Sequence, residues 1–125
     1  MVTSRFNHET GILDSNFMGE VTLKEIIDYI AATSENKSYP RKLKILTDAT
    51  NSSMNFSAGD LLAIVNENNK SLENYQYIID AIVIESPKET ALSILYQEIA
   101  KNPKYKFRTF STREAAYEWL INAYL

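Results

Sequence analysis

The chain of 125 residues has no cysteine, a single histidine (His8), three glycines and three prolines. Without cysteine there is no disulfide framework and no thiolate chemistry. One imidazole leaves metal binding to carboxylates, alone or with His8, and excludes structural zinc, which favours sulfur and nitrogen ligands. No metal site and no cofactor are expected. Three glycines provide neither a phosphate-cradling loop nor a Gly-Xaa-Ser-Xaa-Gly nucleophile elbow, and chain order supplies no catalytic triad. Positive charge is also short: 13 Lys and Arg against 16 Asp and Glu leave a formal charge of −3 and an isoelectric point near 5.2. A surface of that sign does not release counterions from nucleic acid and is not drawn to anionic lipid, so no nucleic-acid partner is expected. The most apolar run, Ile78-Ile79-Asp80-Ala81-Ile82-Val83-Ile84, is far shorter than the roughly 20 residues that span a bilayer. The first ten residues lack the apolar segment of a signal peptide. The expectation is a cytoplasmic protein with no transmembrane segment, in which the sequons at Asn51 and Asn55 are chance patterns.

What is present is the make-up of an ordinary globular protein, 45% apolar and 23% charged. No linker, low-complexity stretch or composition shift divides it, and residues 1–125 read as one domain with a core large enough to stand without covalent or metal support. Val2 to His8 alternates as a half-buried strand, Glu9-Thr10-Gly11 signals a turn, and Ile12 to Phe17 resumes the strand, with Gly19 ending it. Thr22 and Glu25 have the spacing of a capping box, followed by Leu23, Ile26, Ile27 and Ile30 on one helical stripe. Tyr39-Pro40 blocks any continuation of that helix. Leu43 to Asp48 reads as a central strand, then a polar loop, then a helix that opens at Ser57 with Asp60 three residues on. Ala58, Leu61, Leu62 and Val65 are the expected buried face of this helix.

Tyr77 to Glu85 is the most apolar strand and belongs inside the sheet. Ser86-Pro87-Lys88-Glu89 combines a capping hydroxyl, proline at the first helical position and an acid three residues after the cap. Ala91, Leu92, Leu95 and Ile99 carry that helix onward. Tyr105 to Phe110 alternates once more, Ser111 to Glu114 repeats the capping box, and Ala116, Trp119, Leu120 and Ala123 form the inner stripe of the last helix. The repeating strand–cap–helix unit predicts a mostly parallel α/β sheet with right-handed crossovers. The alternation in the outer strands places most helices on one face, with Arg5, Lys44, Lys106 and Arg108 on the other, towards solvent or a second subunit.

The order and spacing of Leu43-Lys-Ile-Leu-Thr-Asp48, Phe56-Ser57-Ala58-Gly59-Asp60-Leu61, Ala81-Ile-Val-Ile84 and Phe110-Ser-Thr-Arg-Glu-Ala-Ala-Tyr-Glu-Trp-Leu120 resemble the STAS superfamily, and within it the SpoIIAA-like group of small bacterial proteins. The resemblance covers nearly the whole chain. It implies an N-terminal antiparallel hairpin strand followed by sequential parallel strands, with helices mainly on one face. It also implies a non-enzymatic binding or regulatory domain that acts through a protein partner, with a homodimer among the expected assemblies. Anti-sigma-factor antagonists of the superfamily are switched by phosphorylation of a serine at the start of the helix after the third strand, and Ser57 occupies the matching place. The acid that stands beside their phosphoserine is missing, the neighbours here being Asn55, Phe56 and Ala58.

Residue chemistry leaves two readings at each candidate position. Ser57 is a helix N-cap or a phosphoacceptor. Asp48 is a strand-end carboxylate that accepts loop amides, or a binding group at the carboxyl ends of the strands, where open α/β sheets place ligands. Ser52 and Ser53 share its loop, and Glu85 and Ser86 follow the neighbouring strand, so these four are the further ligand- or partner-binding candidates. The alternative function is a small-ligand carrier for lipid or nucleotide, because lipid-carrier folds share this topology. That alternative requires an apolar cavity beneath the helix that starts at Ser57.

Overall fold

The computed structural model describes residues 1–125. Five strands form one sheet in the order β1-β2-β3-β4-β5. They are β1 (Val2–Asn7), β2 (Ile12–Thr22), β3 (Lys42–Asn55), β4 (Tyr77–Val83) and β5 (Tyr105–Phe110). The β1–β2 pair is antiparallel and every later pair is parallel. The helices are α1 (Leu23–Glu35), α2 (Leu61–Leu72), α3 (Pro87–Ile99) and α4 (Arg113–Asn122), and a 3-10 turn, Ala58–Asp60, leads into α2. No helix is long and apolar enough to cross a membrane.

The expected capping residues stand at the helix starts, although the Ser86 hydroxyl donates to Glu89 and caps no amide. At Thr22 the box closes in both directions: the Glu25 amide donates to Thr22 Oγ1 at 3.2 Å, and the Thr22 amide donates to Glu25 Oε2 at 2.9 Å. Ser57 holds the mouth of the turn before α2, where its amide donates to Asp60 Oδ2 at 2.9 Å. The last cap is one residue later than expected: Thr112, not Ser111, accepts the Ala115 amide, at 3.2 Å.

Three helices cover one face. Leu13, Phe17, Leu43, Ile45, Ile78 and Ile82 of the sheet pack there against α1, α2 and α3. On the opposite face α4 lies alone over Ile12, Leu46, Ile79, Ala81 and Val83. The full burial of Ala81 and Ala116 lets α4 sit close to the sheet. This face also carries the expected cations. Lys44 Nζ donates to the carbonyl of Ile121 at 3.3 Å, where a positive group meets the negative end of α4. Arg108 lies 5.2 Å from the Phe110 ring, and Lys106 lies 5.9 Å from Trp119.

Two segments differ from expectation. β2 does not stop at Gly19, and residues 49–55 are strand, not loop. Beyond the end of β4 the two continue as a parallel pair, from Met18 opposite Asn51 to Thr22 opposite Asn55. Between Asn16 and Met18 on β2 there is one residue, and between Asp48 and Asn51 on β3 there are two, so β3 carries a bulge. The extra residue flips the side-chain alternation, which brings Met54 into the core although Ala49, an odd-numbered neighbour, is also there. Polar alternation in this stretch reflects a two-stranded extension with one wet side.

The inner faces of two helices are also rotated from the expected stripes. In α2 the buried residues are Leu61, Ile64, Val65, Asn68, Ser71 and Leu72, while Leu62 is 62% exposed and Ala58 lies outside. In α3 the inward set is Glu89, Leu92, Ser93 and Tyr96, whereas Ala91, Leu95 and Ile99 face outwards. That set has the spacing i, i+3, i+4, i+7 counted from Glu89, so the buried acid sets the helix phase.

Candidate functional site

Under α2 the three helices do not close fully onto the sheet. A cavity of about 90 Å3 remains, lined by 21 residues of which 15 are hydrophobic. Ile45, Thr47, Ile78, Asp80 and Ile82 form its floor, on adjacent strands β3 and β4. Tyr29 closes it from α1, Asn68 and Ser71 from α2, Ser93 and Tyr96 from α3. The cavity therefore lies where the carrier alternative needs it, below the helix that follows Ser57.

Asp80 is the residue that the sequence reading passed over, one acid inside the most apolar strand. β4 is an inner strand, and the flanking floor residues Ile78 and Ile82 are 3% and 4% exposed. Asp80 nonetheless keeps accessible surface, which it presents to the cavity. Burial pushes its carboxyl up to about 7, against the smaller opposing effect of a hydrogen bond from Thr47 Oγ1 at 3.1 Å. The lining contains no lysine, arginine or histidine to pair with it. A desolvated carboxyl in a cavity, without a cation, has the environment that functional sites impose on ionisable groups.

The tyrosine hydroxyls of the lining have hydrogen-bond partners. Tyr29 shares a short hydrogen bond with Ser15, and the Tyr96 hydroxyl donates to that of Tyr105 at 3.2 Å. Burial raises the titration of all three tyrosines, so they stay neutral hydroxyls. Asn68 differs. Its side chain is 6% exposed, and its Nδ2 is buried without an acceptor. An unpaired buried donor of this kind costs about 1–3 kcal/mol.

The residues singled out from the sequence do not gather at this cavity. Asp48 faces α4, where its Oδ1 accepts the Thr50 amide at 3.1 Å and the Thr50 hydroxyl at 2.8 Å, filling the gap that the bulge opens. Its other oxygen lies 3.8 Å from Arg113, which also pairs with Asp14 at 3.1 Å. Ser52 donates to the carbonyl of Ala49 at 2.8 Å, and Ser53 is exposed on the strand extension. Ser57 is exposed, its hydroxyl 3.2 Å from Asp60. It stands one residue after Phe56, which does line the cavity. Glu85 and Ser86 are exposed at the start of α3. His8 is exposed and packs edge-on against Phe6 at 5.0 Å.

The chain superposes on a solved structure across nearly the full length of both chains. That structure is an uncharacterised protein of the DUF3478 family from Shewanella loihica PV-4, described as having a SpoIIAA-like fold. It covers 96% of this chain and 92% of its own, at 13% identity and a TM-score of 0.62. The chain has a SpoIIAA-like fold. No protein-family model matches it, and no curated protein does.

In this SpoIIAA-like fold one acid outside the cavity floor holds two elements together. Glu89 is 5% exposed, accepts the Met54 amide at 3.3 Å and takes a short hydrogen bond from Ser86. Lys88 beside it donates to the Met54 carbonyl at 3.0 Å. Desolvation opposes the ionised form of Glu89, but hydrogen bonds from Ser86 and from the Met54 and Glu89 amides, together with the Lys88 charge, outweigh it and hold the carboxyl below its usual range. Its motif was legible as a cap; its burial was not. Glu89→Ala strands the Met54 amide, and urea unfolding should show a loss of about 1–3 kcal/mol. Glu89→Gln, which still accepts one bond, should lose less.

Proposed function

We propose that this chain is a non-enzymatic binding domain that holds a small, mainly apolar ligand in the cavity beneath α2. The observation that carries the reading is the cavity itself, with fifteen hydrophobic lining residues around one carboxyl. Well-packed interiors rarely leave room larger than a water molecule, and a void with an unpaired donor and an uncompensated acid on its wall is a stability defect unless something occupies it. An apolar cavity of about 150 Å3 takes a benzene molecule. By that scale the space here suits an apolar chain of about four carbon atoms.

The test is an NMR titration with butan-1-ol. Methyl resonances of Ile64, Ile78, Ile82 and Leu92 should move in a saturable way, and those of exposed Leu62 should not. Ser93→Leu fills the cavity from α3 and should abolish the effect while leaving the circular dichroism spectrum unchanged. If that variant fails to fold, Ser71→Leu fills the same space from α2. Absence of saturable shifts in the wild-type protein, or equal binding by a folded filled variant, contradicts the reading.

A protein partner is the second reading, favoured by one observation. Ile94, Leu95 and Ile99 on the outer side of α3 are 51%, 41% and 38% exposed, although the inward side of the same helix carries Glu89 and Ser93. A helix that keeps polar groups inside and leaves three large aliphatic residues outside has the pattern of a docking face, for a regulatory partner or a second copy of the chain.

A further inference from the structure

The chemistry of the cavity wall narrows the ligand further, on the basis of the ligand-binding reading above. Asp80 is the only acid among the lining residues, and the lining has no base. The polar groups that share the lining with Asp80 are all neutral: Thr47 from β3, which bonds it, Tyr29 and Thr33 from α1, Asn68 and Ser71 from α2, Ser93 and Tyr96 from α3, and Tyr105 from β5. The tyrosines among these are the only other titratable groups in the lining, and burial keeps them protonated. An anionic ligand head would therefore enter a space that holds a negative group and no compensating cation. Buried like charges at contact repel, and the surrounding apolar wall screens them poorly. A head that donates a hydrogen bond meets the opposite situation, because Asp80 has accepting capacity left beyond the single bond from Thr47. Asn68 Nδ2 adds a second, independent pointer: a side chain more than nine-tenths buried, on the cavity wall, with a donor that lacks an acceptor.

We propose that the cavity selects small apolar molecules with a hydrogen-bond-donating head, an alcohol or an amine, seated against Asp80, and rejects carboxylates of the same chain length. A hydroxyl both donates to Asp80 and offers an acceptor of the kind Asn68 lacks. An ammonium head only donates, but forms an ion pair with the carboxylate. The two sources of the shared chemistry separate by pH. Asp80 carries its charge above about pH 7, so amine affinity rises through that range, while alcohol affinity changes little.

The experiment is an NMR titration with butan-1-ol, butylamine and butanoate at about pH 6 and about pH 8, on wild-type protein and on Asp80→Asn. In the wild type at about pH 8, butan-1-ol or butylamine should bind at least about tenfold more tightly than butanoate. Butylamine affinity should increase several-fold between the two pH values. Asp80→Asn removes the charge but keeps an accepting oxygen and adds an amide donor. It should leave butan-1-ol within about threefold, weaken butylamine, and raise butanoate by about tenfold. Butanoate binding as tightly as butan-1-ol in the wild type, or the same selectivity in Asp80→Asn, overturns the head-group assignment and leaves the cavity reading intact. Failure of all three compounds to bind the wild type overturns both.

Discussion

Asp80→Asn is expected to stabilise the protein by roughly 2–4 kcal/mol at about pH 8, raising the melting temperature by on the order of 10 °C. The folded carboxyl titrates near 7 and its ordinary value is 3.8. Between those values the folded chain retains a proton that the unfolded chain has released. Stability from this group is therefore fully present below the ordinary value and falls as pH rises towards 7, after which the loss is constant. A difference of about three pH units at ~1.4 kcal/mol each sets an upper limit near 4 kcal/mol. The amide keeps an oxygen for the Thr47 hydroxyl and has no charge to desolvate. Wild type and variant should be about equally stable near pH 4 and should diverge as pH rises. Guanidinium unfolding at several pH values checks this, and a variant less stable than wild type at pH 8 would show that the ionised carboxylate is a structural asset. Glu89 acts in the reverse sense: its folded value is lowered, so its contribution is present above the ordinary glutamate value and is lost as pH falls through the folded one. The paired comparison at Asp80 cancels that background.

The second large effect is expected from Leu120→Ala, at a loss of 2–5 kcal/mol, the usual range for truncating a buried leucine. α4 stands alone on its face, and Ala116 and Leu120 are its two fully buried side chains. At ten residues it is too short to persist in water without packing. The contacts of Arg113 with Asp14 and Asp48 are partly exposed and contribute at most about 1 kcal/mol each, so they do not hold an undocked helix in place. Leu62→Ala on α2 removes the same atoms from a side chain 62% exposed and should change stability by less than about 0.5 kcal/mol. Urea titration of both variants checks the contrast. Butan-1-ol binding should survive in Leu120→Ala at temperatures where it remains folded, because the cavity lies across the sheet from α4.

Helix order and the helix starts at Thr22, Ser57 and Ser86 were legible because each rests on a local device: the Thr22 and Glu25 pair, Ser57 with Asp60, and proline after Ser86. The placement of α4 was legible in principle as well. Ile79, Ala81 and Val83 alternate with Ile78 and Ile82, so β4 is apolar on both sides, the mark of a strand covered twice. Strand residues 49–55 were not legible, because Thr-Asn-Ser-Ser has the composition of a loop and becomes strand only through pairing with the far half of β2. The helix phases were hidden for a tertiary reason. In α3 the buried Glu89 and the Tyr96 ring, packed at 4.9 Å from Phe107, decide which side turns inwards, against the hydropathy of Leu95 and Ile99. The cavity could not be read from the sequence, since a void is what several elements fail to fill. Its one written sign is Asp80, an acid in the middle of an apolar run whose directly opposite partners, Ile45 and Phe107, are apolar.

The most direct test of this account is a carbon-13 NMR titration of the Asp80 side-chain carboxyl, with and without saturating butylamine. A buried acid facing an apolar, cation-free cavity predicts a midpoint near 7 in the free protein, moved clearly downwards when the amine is bound. A midpoint at the ordinary aspartate value, unmoved by the amine, would mean that Asp80 is solvated or already paired and would contradict the account.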